Sequence, residues 1–382
     1  MISKSVVLHI PSWFPNSEDP FAGDFIVRHM QAIQGITPIV AVHFTKSNHS
    51  SEIQLIQHPD VEVPFIEVLI PEEKGIKYLR QWNAQRRQQK AIAACCHYLK
   101  TQQIKVLAIH SHVLHPAANI AFQFKKQLKC PWIHSEHWSA LTEENGEYNR
   151  KSNLFKLYYK SIIEKVDAFT FVSKYLSNSF HQHFKIKVAQ FIVSNTVDTS
   201  QFYIQENLKN KRPFRFLHVS SLGEVKQAEA IIEAFIALGH NDSELWIVGG
   251  TFEKNDSLRA KYKDQRLQFL TPQTYDAIAL LMQDSDALVL NSLYETQSCV
   301  AIEALCCGLP VLAPSVAALP EFLNAENSIL FKEGQIMDAL QNAFINIAQL
   351  NKQKIAEKAL AQYSYSKIGN DFKAVYKQLG II

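Results

Sequence analysis

The sequence alternates short β-rich runs with longer helical runs, and it does so twice along its 382 residues. We expect first-half strands at residues 6–10, 38–44, 63–70, 106–110, 132–135, 168–172 and 190–193, and second-half strands at 215–219, 245–248, 267–270, 287–290 and 310–313. Helical spacing between them predicts helices that include residues 24–35, 85–100, 228–238, 275–283 and 299–307. Strands separated by helices pair in parallel and are covered on both faces. The sequence therefore predicts an α/β protein of two doubly wound, Rossmann-like domains.

A polar segment at residues 195–214, with a charged run at 206–213, lacks apolar periodicity and predicts a linker. We place the domains at 1–200 and 201–382, and we expect the last amphipathic helix, about 366–382, to pack back on the first domain. Ligands of open α/β sheets bind beyond the carboxyl ends of the strands. Two such sheets facing each other would form a cleft, where binding sites are favoured.

Charge and hydropathy exclude several classes of protein. Lys and Arg number 39 against 36 Asp and Glu, so the chain lacks the basic excess of a nucleic-acid binder. No run approaches ~18 apolar residues, so we expect no transmembrane helix, and the short apolar start does not resemble a signal peptide. The six cysteines form no C-x-x-C pattern. We expect a cytoplasmic protein, with possible association to a membrane surface.

The densest motif runs from residue 291 to residue 311. A strand ends near Leu290, a short loop holds Glu295, and a helix begins near Ser298 and ends at Gly308, with Pro310 beyond it. The free backbone N–H groups at the start of this helix can bind a phosphate or diphosphate. The two carboxylates near the helix start suit hydroxyl donors, because a carboxylate accepts two hydroxyl hydrogen bonds well.

The roles within this motif follow from its spacing. The N–H groups of Ser298, Cys299 and Val300 would bind the diphosphate, and Glu303, about one turn along, would reach a ribose. Glu295, on the other side of the helix start, would bind hydroxyls of a sugar on the outer phosphate. A pair of Glu residues alone is more often a solvated loop acid and a surface helix residue. The surrounding residues therefore have to show whether this pair binds a ligand.

That context resembles a known family. Glu295 and Glu303 are separated by seven residues, and Ala-Leu-x-x-Gly-x-Pro-Val follows, as in the E-x7-E segment of retaining glycosyltransferases of the GT-B fold, family 4 or group 1. The resemblance implies two Rossmann-like domains facing across a cleft, with the acceptor on the first and a nucleotide sugar on the second. It also implies transfer with retention, no protein nucleophile and no divalent metal or other cofactor.

Other segments carry the same resemblance. Residues 195–202 resemble the N-G-V-D-x-x-x-F segment, and Lys226 matches the lysine that neutralises the donor diphosphate. Gly249 ends a strand-Gly turn like the one that lines the nucleotide base. Two departures stand out: Ser221 occupies the position of the usual arginine, and Ala317-Ala318 replace the usual Gly-Gly.

The first domain contributes a glycine and a set of histidines. Gly23 opens a helix whose N–H groups could approach the donor phosphate. By resemblance, His137 is the first-domain histidine near the transferred sugar, while His112 and Trp138 belong to the acceptor region. The histidines match no H-E-x-x-H spacing, so we expect no zinc there.

Two further features bear on partners. Asp284-Ser285-Asp286 looks like a D-x-D metal site but precedes an inner strand, so we expect a structural role, with Lys226 and helix dipoles replacing a metal. Basic stretches at 74–90 and 150–165 mix cations with aromatic residues. Such stretches can contact an anionic membrane, which would suit a lipid-linked acceptor, although a charge run is usually a solvated face.

The sequence thus predicts a metal-independent retaining hexosyltransferase. It would use a nucleoside diphosphate sugar and a glycan or lipid-linked glycan acceptor of the cell-surface polysaccharide or lipopolysaccharide type. His137 and Glu295 would act at the reacting centre. Two alternatives stay open: a nucleotide-sugar epimerase or phosphorylase on a similar scaffold, and a non-catalytic nucleotide-sugar-binding subunit. A dehydrogenase is disfavoured, because no G-x-G-x-x-G follows a strand.

Overall fold

Strands of the first half form one sheet in the computed structural model, which describes residues 4–15, 22–47, 51–58, 61–72, 77–205 and 212–382. They are β1 (Ser5–Pro11), β2 (Ile39–Ser47), β3 (Gln54–His58), β4 (Phe65–Pro71), β5 (Lys105–His112), β6 (Trp132–Glu136), β7 (Ala168–Phe171) and β8 (Ala189–Ile192). Their order across the sheet is β3-β4-β2-β1-β5-β6-β7-β8. All neighbours pair in parallel except β3, which is antiparallel to β4.

Strands of the second half form a separate parallel sheet. They are β9 (Phe214–Ser220), β10 (Ser243–Gly249), β11 (Leu267–Leu270), β12 (Ala287–Val289), β13 (Val311–Pro314) and β14 (Ser328–Phe331). Their order is β11-β10-β9-β12-β13-β14, so the chain winds outwards from β9 in one direction and from β12 in the other. Both sheets are therefore doubly wound.

Helices connect the strands of both sheets. In the first half they are α1 (Asp24–Gln34), α2 (Lys77–Thr101), α3 (Asn119–Leu128), α4 (Glu147–Arg150), α5 (Asn153–Ile163) and α6 (Lys174–His183). In the second half they are α7 (Ala228–Leu238), α8 (Phe252–Lys261), α9 (Tyr275–Gln283), α10 (Cys299–Cys306), α11 (Ile336–Asn346), α12 (Lys352–Tyr363) and α13 (Tyr365–Gln378). None of these described helices is long and apolar enough to cross a membrane.

The helix ends and the sheet interiors follow from the sequence. Side chains of Ser152, Thr251, Thr274 and Asn351 accept the hydrogen bonds that cap α5, α8, α9 and α12. The inner strands are continuous apolar runs, because helices cover both faces of each sheet. Each sheet accordingly has one apolar cluster on each of its two faces.

The chain divides into two compact units. The N-terminal unit comprises Met1–Val172, Leu176–Asn195 and Tyr365–Ile382, and the C-terminal unit comprises Ser173–Tyr175 and Thr196–Ser364. Helix α13 thus belongs to the N-terminal unit, where its Phe372 and Tyr376 are fully buried in the cluster that also contains Ile26 and Met30 of α1. The Tyr376 hydroxyl lies 2.8 Å from Nδ1 of His110 on β5.

The predicted fold class is confirmed: both sheets are parallel α/β sheets of the Rossmann type. Two edge strands, β3 and β14, were not predicted, because an apolar run of only two or three residues is too short to indicate a strand by itself. The division between the two units falls between Asn195 and Thr196, within the segment predicted as a linker, but the first residues of that segment are packed rather than solvated. Asn195, Thr196 and Val197 are buried, and the Thr196 hydroxyl and the Val197 N–H both donate to the Tyr363 carbonyl. Residues 206–211 of that segment lie outside the described residues.

Candidate active site

The C-terminal unit has its topological switch point between β9 and β12. These parallel strands are neighbours, and the strands that follow each of them extend the sheet in opposite directions, β10 and β11 beside β9 and β13 and β14 beside β12. Open α/β sheets bind their ligands in the crevice that this reversal leaves at the carboxyl ends of the strands. The loop after β9 carries Lys226, and the loop after β12 carries Glu295. The motif found in the sequence therefore lies where the topology favours a ligand.

Lys226 and Glu295 form an ion pair across this switch point. Nζ of Lys226 lies 2.5 Å from Oε1 of Glu295, and the same oxygen accepts a hydrogen bond of 2.8 Å from the Ser292 hydroxyl. The Glu295 side chain is 11% exposed and the Lys226 side chain 29%. Glu295 is therefore not a solvated loop acid. The sequence assigned the two side chains to different parts of a ligand and did not predict that they bind each other.

The helix after Glu295 begins without a side-chain cap: Ser298 is the N-cap of α10 and its side chain makes no capping hydrogen bond. The first N–H groups of an α-helix have no acceptor within the helix, so they point towards the preceding loop. Cys299 and Val300 are half-buried, and Glu303, one turn along, is only 4% exposed. Burial, with Glu303 as a second cause, raises the pKa of the Cys306 thiol to about 12. The helix start can thus bind an anion, with a buried carboxylate one turn away.

The backbone at the end of β10 approaches β9 very closely. Gly249 has a φ of 113°, and a Cβ at this position would lie 1.9 Å from the Ser220 carbonyl oxygen. Only glycine fits there. The Ser220 hydroxyl in turn accepts a hydrogen bond from the Leu222 N–H. Ser221 is exposed beside this turn, and the structure assigns it no further contact that explains the replaced arginine.

A buried histidine lies under the Lys226 loop. His218 on β9 shares hydrogen bonds of 2.8 Å with the Val289 carbonyl and with the Ser220 hydroxyl. Burial is the main cause that lowers the pKa of His218 to about 4; the hydrogen bond to the Val289 carbonyl opposes this shift and the positive charge of Lys226 adds to it. His218 is therefore neutral at physiological pH and joins β9 to β12 at the switch point.

The two alanines that replace the usual glycines contact the same loop. Ala317 has a φ of 50°, in the left-handed region that favours glycine. Ala318 is fully buried and its N–H donates to the Glu295 carbonyl at 3.2 Å. The segment after β13 therefore holds the backbone of Glu295, while Lys226 binds its side chain.

Two arginines form ion pairs with the D-x-D segment at residues 284–286. Arg212 binds Asp284 at 3.2 Å and Asp286 at 2.7 Å, and Arg215 forms an ion pair with Asp284. Asp286 also accepts the Arg215 N–H at 2.9 Å. These carboxylates join the starts of β9 and β12, at the end of the sheet opposite the Lys226 loop.

In the N-terminal unit, Gly23 is the N-cap of α1. Its φ is 67°, and a Cβ would lie 2.4 Å from the Trp13 carbonyl oxygen, so glycine allows the loop after β1 to pack against the helix start. The N–H groups of Ile26 and Val27 both donate to the Gly23 carbonyl. Residues 16–21 of this predicted loop lie outside the described residues.

The predicted acceptor-region residues lie at the carboxyl ends of β5 and β6. His112 and His137 are buried, with ring centroids 5.8 Å apart, and Trp138 is half-buried with its N–H donated to Glu136. Burial, with neighbouring histidines as a second cause, holds the pKa values of His112 and His137 well below the usual value. Both rings are therefore neutral.

Within each unit the structure groups the predicted residues, and it adds some that the sequence did not reveal. Ser292 and His218 support the Lys226–Glu295 pair, and His9 and His29 join the histidines of the N-terminal unit. His9 lies within the mostly apolar β1, and His29 lies within the amphipathic α1 among other polar residues. Only the tertiary fold brings them to His112, so no local pattern could have indicated them.

Two family descriptions match this chain over adjacent regions. "Glycosyltransferase Family 4" matches residues 26–201, and "Glycosyl transferases group 1" matches residues 199–367. The first match covers most of the N-terminal sheet, and the second covers the Lys226 and Glu295 loops. Together they extend over both sheets.

Similar proteins agree with these matches. An uncharacterized glycosyltransferase of Methanocaldococcus jannaschii is 25% identical over 278 residues, which cover 71% of this chain and 75% of that protein. Among solved structures, sucrose-phosphate synthase of Thermosynechococcus elongatus superposes with a TM-score of 0.77 at 17% identity, covering 98% of this chain and 99% of that one. Anabaena HepE, in complex with UDP and glucose, has a TM-score of 0.70 at 15% identity, with coverages of 97% and 99%.

Proposed function

Because this chain belongs to the group 1 glycosyltransferases of the GT-B fold, we propose that it transfers a hexose from a nucleoside diphosphate sugar to a glycan or lipid-linked glycan. The observation that carries the proposal is the Lys226–Glu295 ion pair beside the start of α10 at the switch point of the C-terminal sheet. That pair provides one cation for a diphosphate and one carboxylate for sugar hydroxyls. HepE, a structural neighbour, was crystallised with UDP and glucose.

The ion pair suggests how the donor enters. A diphosphate at the N–H groups of Cys299 and Val300 would attract the Lys226 ammonium, which carries three donors and can leave Glu295 or bridge to it. Glu295 then has oxygens available for the hydroxyls of the donor sugar. Lys226 and the positive end of α10 would also stabilise the charge that develops on the leaving diphosphate.

The other donor contacts follow from burial and backbone geometry. Glu303 would bind the ribose hydroxyls, and the turn at Gly249 would line the base, with Ser221 exposed beside it. We propose transfer with retention, in which the leaving phosphate guides the acceptor and no side chain acts as nucleophile. We also propose that no divalent metal binds this diphosphate, because Lys226 and α10 supply the positive charge and arginines engage Asp284 and Asp286.

The N-terminal unit would bind the acceptor. His112 and Trp138 lie at the carboxyl ends of its strands, where ligands of such sheets bind. That Gly23 approaches a phosphate and that His137 contacts the transferred sugar both stay predictions. A role in assembling a cell-surface polysaccharide or lipopolysaccharide would fit such an acceptor.

We propose that α5 contacts an anionic membrane carrying the acceptor. Leu154 and Leu157 are 80% and 63% exposed, and Lys160 is exposed on the same helix. Exposed apolar side chains beside cations suit the interface of an anionic bilayer. Arg86, Arg87 and Lys90 of α2 add charge; residues 74–76 of that basic stretch lie outside the described residues.

The test of the proposed function is the slow hydrolysis of donor sugars, followed as nucleoside diphosphate release from UDP-glucose, UDP-N-acetylglucosamine and GDP-mannose. Glu295→Gln should lower release by at least about 100-fold, because it removes the charged acceptor for the sugar hydroxyls. The variant should bind free UDP or GDP at least as tightly as the wild type, because Lys226 loses its competing carboxylate. Glu229→Gln, a surface acid of α7, is the matched control.

The outcomes separate the alternatives. Full hydrolysis by Glu295→Gln would contradict the assignment of Glu295. Tight donor binding without release by the wild type would favour a non-catalytic binding subunit. A rearranged nucleotide sugar, or a sugar phosphate formed with inorganic phosphate, would identify an epimerase or a phosphorylase.

A further inference from the structure

Five imidazoles crowd the switch point of the N-terminal sheet. His9 lies on β1 opposite His110 of the neighbouring β5, and His112 follows on β5. His29 reaches the same place from α1, and His137 from the end of β6. All five side chains are buried. Nothing in the proposed transfer reaction requires five histidines at this position.

The His29 ring has a defined tautomer. Its Nε2 lies 2.9 Å from the Ser194 carbonyl, which can only accept, so Nε2 carries the proton. With the proton on Nε2, Nδ1 of the neutral ring carries a lone pair. Within the described part of the chain, this buried Nδ1 has no hydrogen-bond partner. A buried lone pair without a donor suggests a ligand.

His112 and His137 complete the arrangement. Nε2 of His112 shares a hydrogen bond of 2.9 Å with Nδ1 of His9, and its buried Nδ1 has no partner among the described residues. The side chain of Asn195 forms a hydrogen bond with the His137 ring. Each of the three imidazoles therefore has one nitrogen held by a neighbour.

We propose that His29, His112 and His137 bind one divalent transition-metal ion, with Zn²⁺ as the favoured occupant. One ring nitrogen from each lies within 4.8 Å of the others. Tetrahedral zinc with bonds of about 2.0–2.1 Å needs nitrogens about 3.4 Å apart, which small rotations of the rings provide. Three imidazoles leave a fourth position for water or another oxygen ligand.

The surroundings of the three rings match those of known metal ligands. Metal-binding imidazoles usually have their other nitrogen held by a carbonyl, a carboxylate or a water, which fixes the tautomer. Here the Ser194 carbonyl holds His29, while the side chains of His9 and Asn195 hold the rings of His112 and His137. Glu136, fully buried, also accepts the backbone N–H of His137 and so fixes the loop that carries this ligand.

The neighbouring histidines are poorer ligands. His9, His110 and His112 also lie close enough together, but both nitrogens of His110 are engaged, by the Tyr376 hydroxyl at 2.8 Å and the Ser135 hydroxyl at 2.7 Å. The site lies within the N-terminal unit and is independent of the donor diphosphate proposed for Lys226. This proposal is an alternative to two expectations from the sequence, namely that His137 contacts the transferred sugar and that no zinc binds these histidines.

The first measurement uses the unmodified chain with any purification tag removed. After treatment with EDTA and dialysis, the protein is incubated with Zn²⁺ or Co²⁺, and bound metal is measured by mass spectrometry. We expect one metal per chain and the intense visible absorption of tetrahedral Co²⁺. Less than about 0.1 metal per chain, or a spectrum of octahedral cobalt in water, would overturn the proposal.

Variants then test the ligand set. His29→Gln and His137→Gln should each weaken Zn²⁺ binding at least ten-fold, since loss of even a supporting group costs about 10–100-fold. His183→Gln is the control, because His183 of α6 lies outside both groups of clustered histidines and its Nε2 forms a hydrogen bond with the Leu141 carbonyl. Unchanged binding in His29→Gln, or loss only in His110→Gln, would overturn the assignment. Circular dichroism checks that each variant is folded, and the cobalt spectrum of the wild type remains decisive if one is not.

Discussion

Ala317 holds a backbone conformation that most residues avoid. For a residue with a Cβ, a φ of 50° destabilises the folded state by roughly 1–2 kcal/mol. Glycine removes this strain, but the greater entropy that it gives the unfolded chain lowers the free energy of unfolding by only about 0.5–1 kcal/mol. Ala317→Gly should therefore raise the free energy of unfolding by roughly 0.5–1 kcal/mol, measured by urea denaturation. The glycines usual in the family at 317–318 would then be the less strained choice at the first of these positions.

Ala318 provides the matched control for this prediction. Its φ of −82° is ordinary and its side chain is fully buried. Ala318→Gly should therefore lower the free energy of unfolding by about 1 kcal/mol, because it adds chain entropy and removes a packed methyl group. Equal losses in the two variants would show that strain at Ala317 is not the cause.

At the scale of elements, the Asp286 carboxylate connects the start of β12 to the start of β9. Asp286 accepts from Arg212 and from the Arg215 N–H, so Asp286→Ala leaves both groups without this acceptor. We expect a loss of about 1–3 kcal/mol in the free energy of unfolding, with nucleotide binding by the folded fraction unchanged. Asp276→Ala, an exposed acid in the first turn of α9, should cost less than about 1 kcal/mol.

The metal dependence of nucleotide binding is a second test of the role of Asp284 and Asp286. If Asp284 and Asp286 are structural, EDTA should leave the affinity for UDP or GDP unchanged in calorimetric titrations. An affinity that falls in EDTA, returns with Mg²⁺ or Mn²⁺ and is absent in Asp286→Ala would contradict a structural role.

Elements with strong local signals were predicted well. The helices at Ala228–Leu238 and Tyr275–Gln283 were predicted with these bounds, because their apolar periodicity coincides with their packed faces. Helix α2 begins at Lys77, eight residues before the predicted start at Gln85. The edge strands β3 and β14 depend on pairing with a neighbour, which a local pattern does not encode.

The candidate site was predictable to a different degree. The Glu295–Glu303 spacing and the start of α10 are local, so the sequence indicated them. The ion pair between Lys226 and Glu295 joins residues that are far apart in the chain, and so does the approach of His29 to His112. Such contacts depend on strand order and register, which become known only with the fold.

At the scale of the whole molecule, buried neutral histidines make stability depend on pH. The pKa of His218 falls from an ordinary value near 6.5 to about 4 in the folded state. The unfolded chain thus binds a proton more readily, so the stability from this group is complete above pH 6.5 and is lost as the pH falls towards 4. When the pH falls from 7 to 5, protonation of this single group in the unfolded chain should lower the free energy of unfolding by about 2 kcal/mol.

Comparison with a variant isolates this contribution. His218→Gln should be less stable than the wild type at pH 7, and the difference should shrink by about 2 kcal/mol at pH 5, measured by urea denaturation of both proteins. A constant difference at the two pH values would show that His218 does not titrate in this range on unfolding.

The central claim is that the start of α10 binds the diphosphate of a nucleotide. The chain has six cysteines, of which Cys299 is the first residue of α10, while Cys95 and Cys96 lie in α2. Selective ¹⁵N-cysteine labelling therefore gives few amide signals, and that of Cys299 is identified by its loss in Cys299→Ser. On titration with UDP or GDP, we expect a large downfield shift of the Cys299 amide proton and no shift at Cys95 and Cys96. Calorimetric binding of the nucleotide with no change at Cys299 would contradict the account.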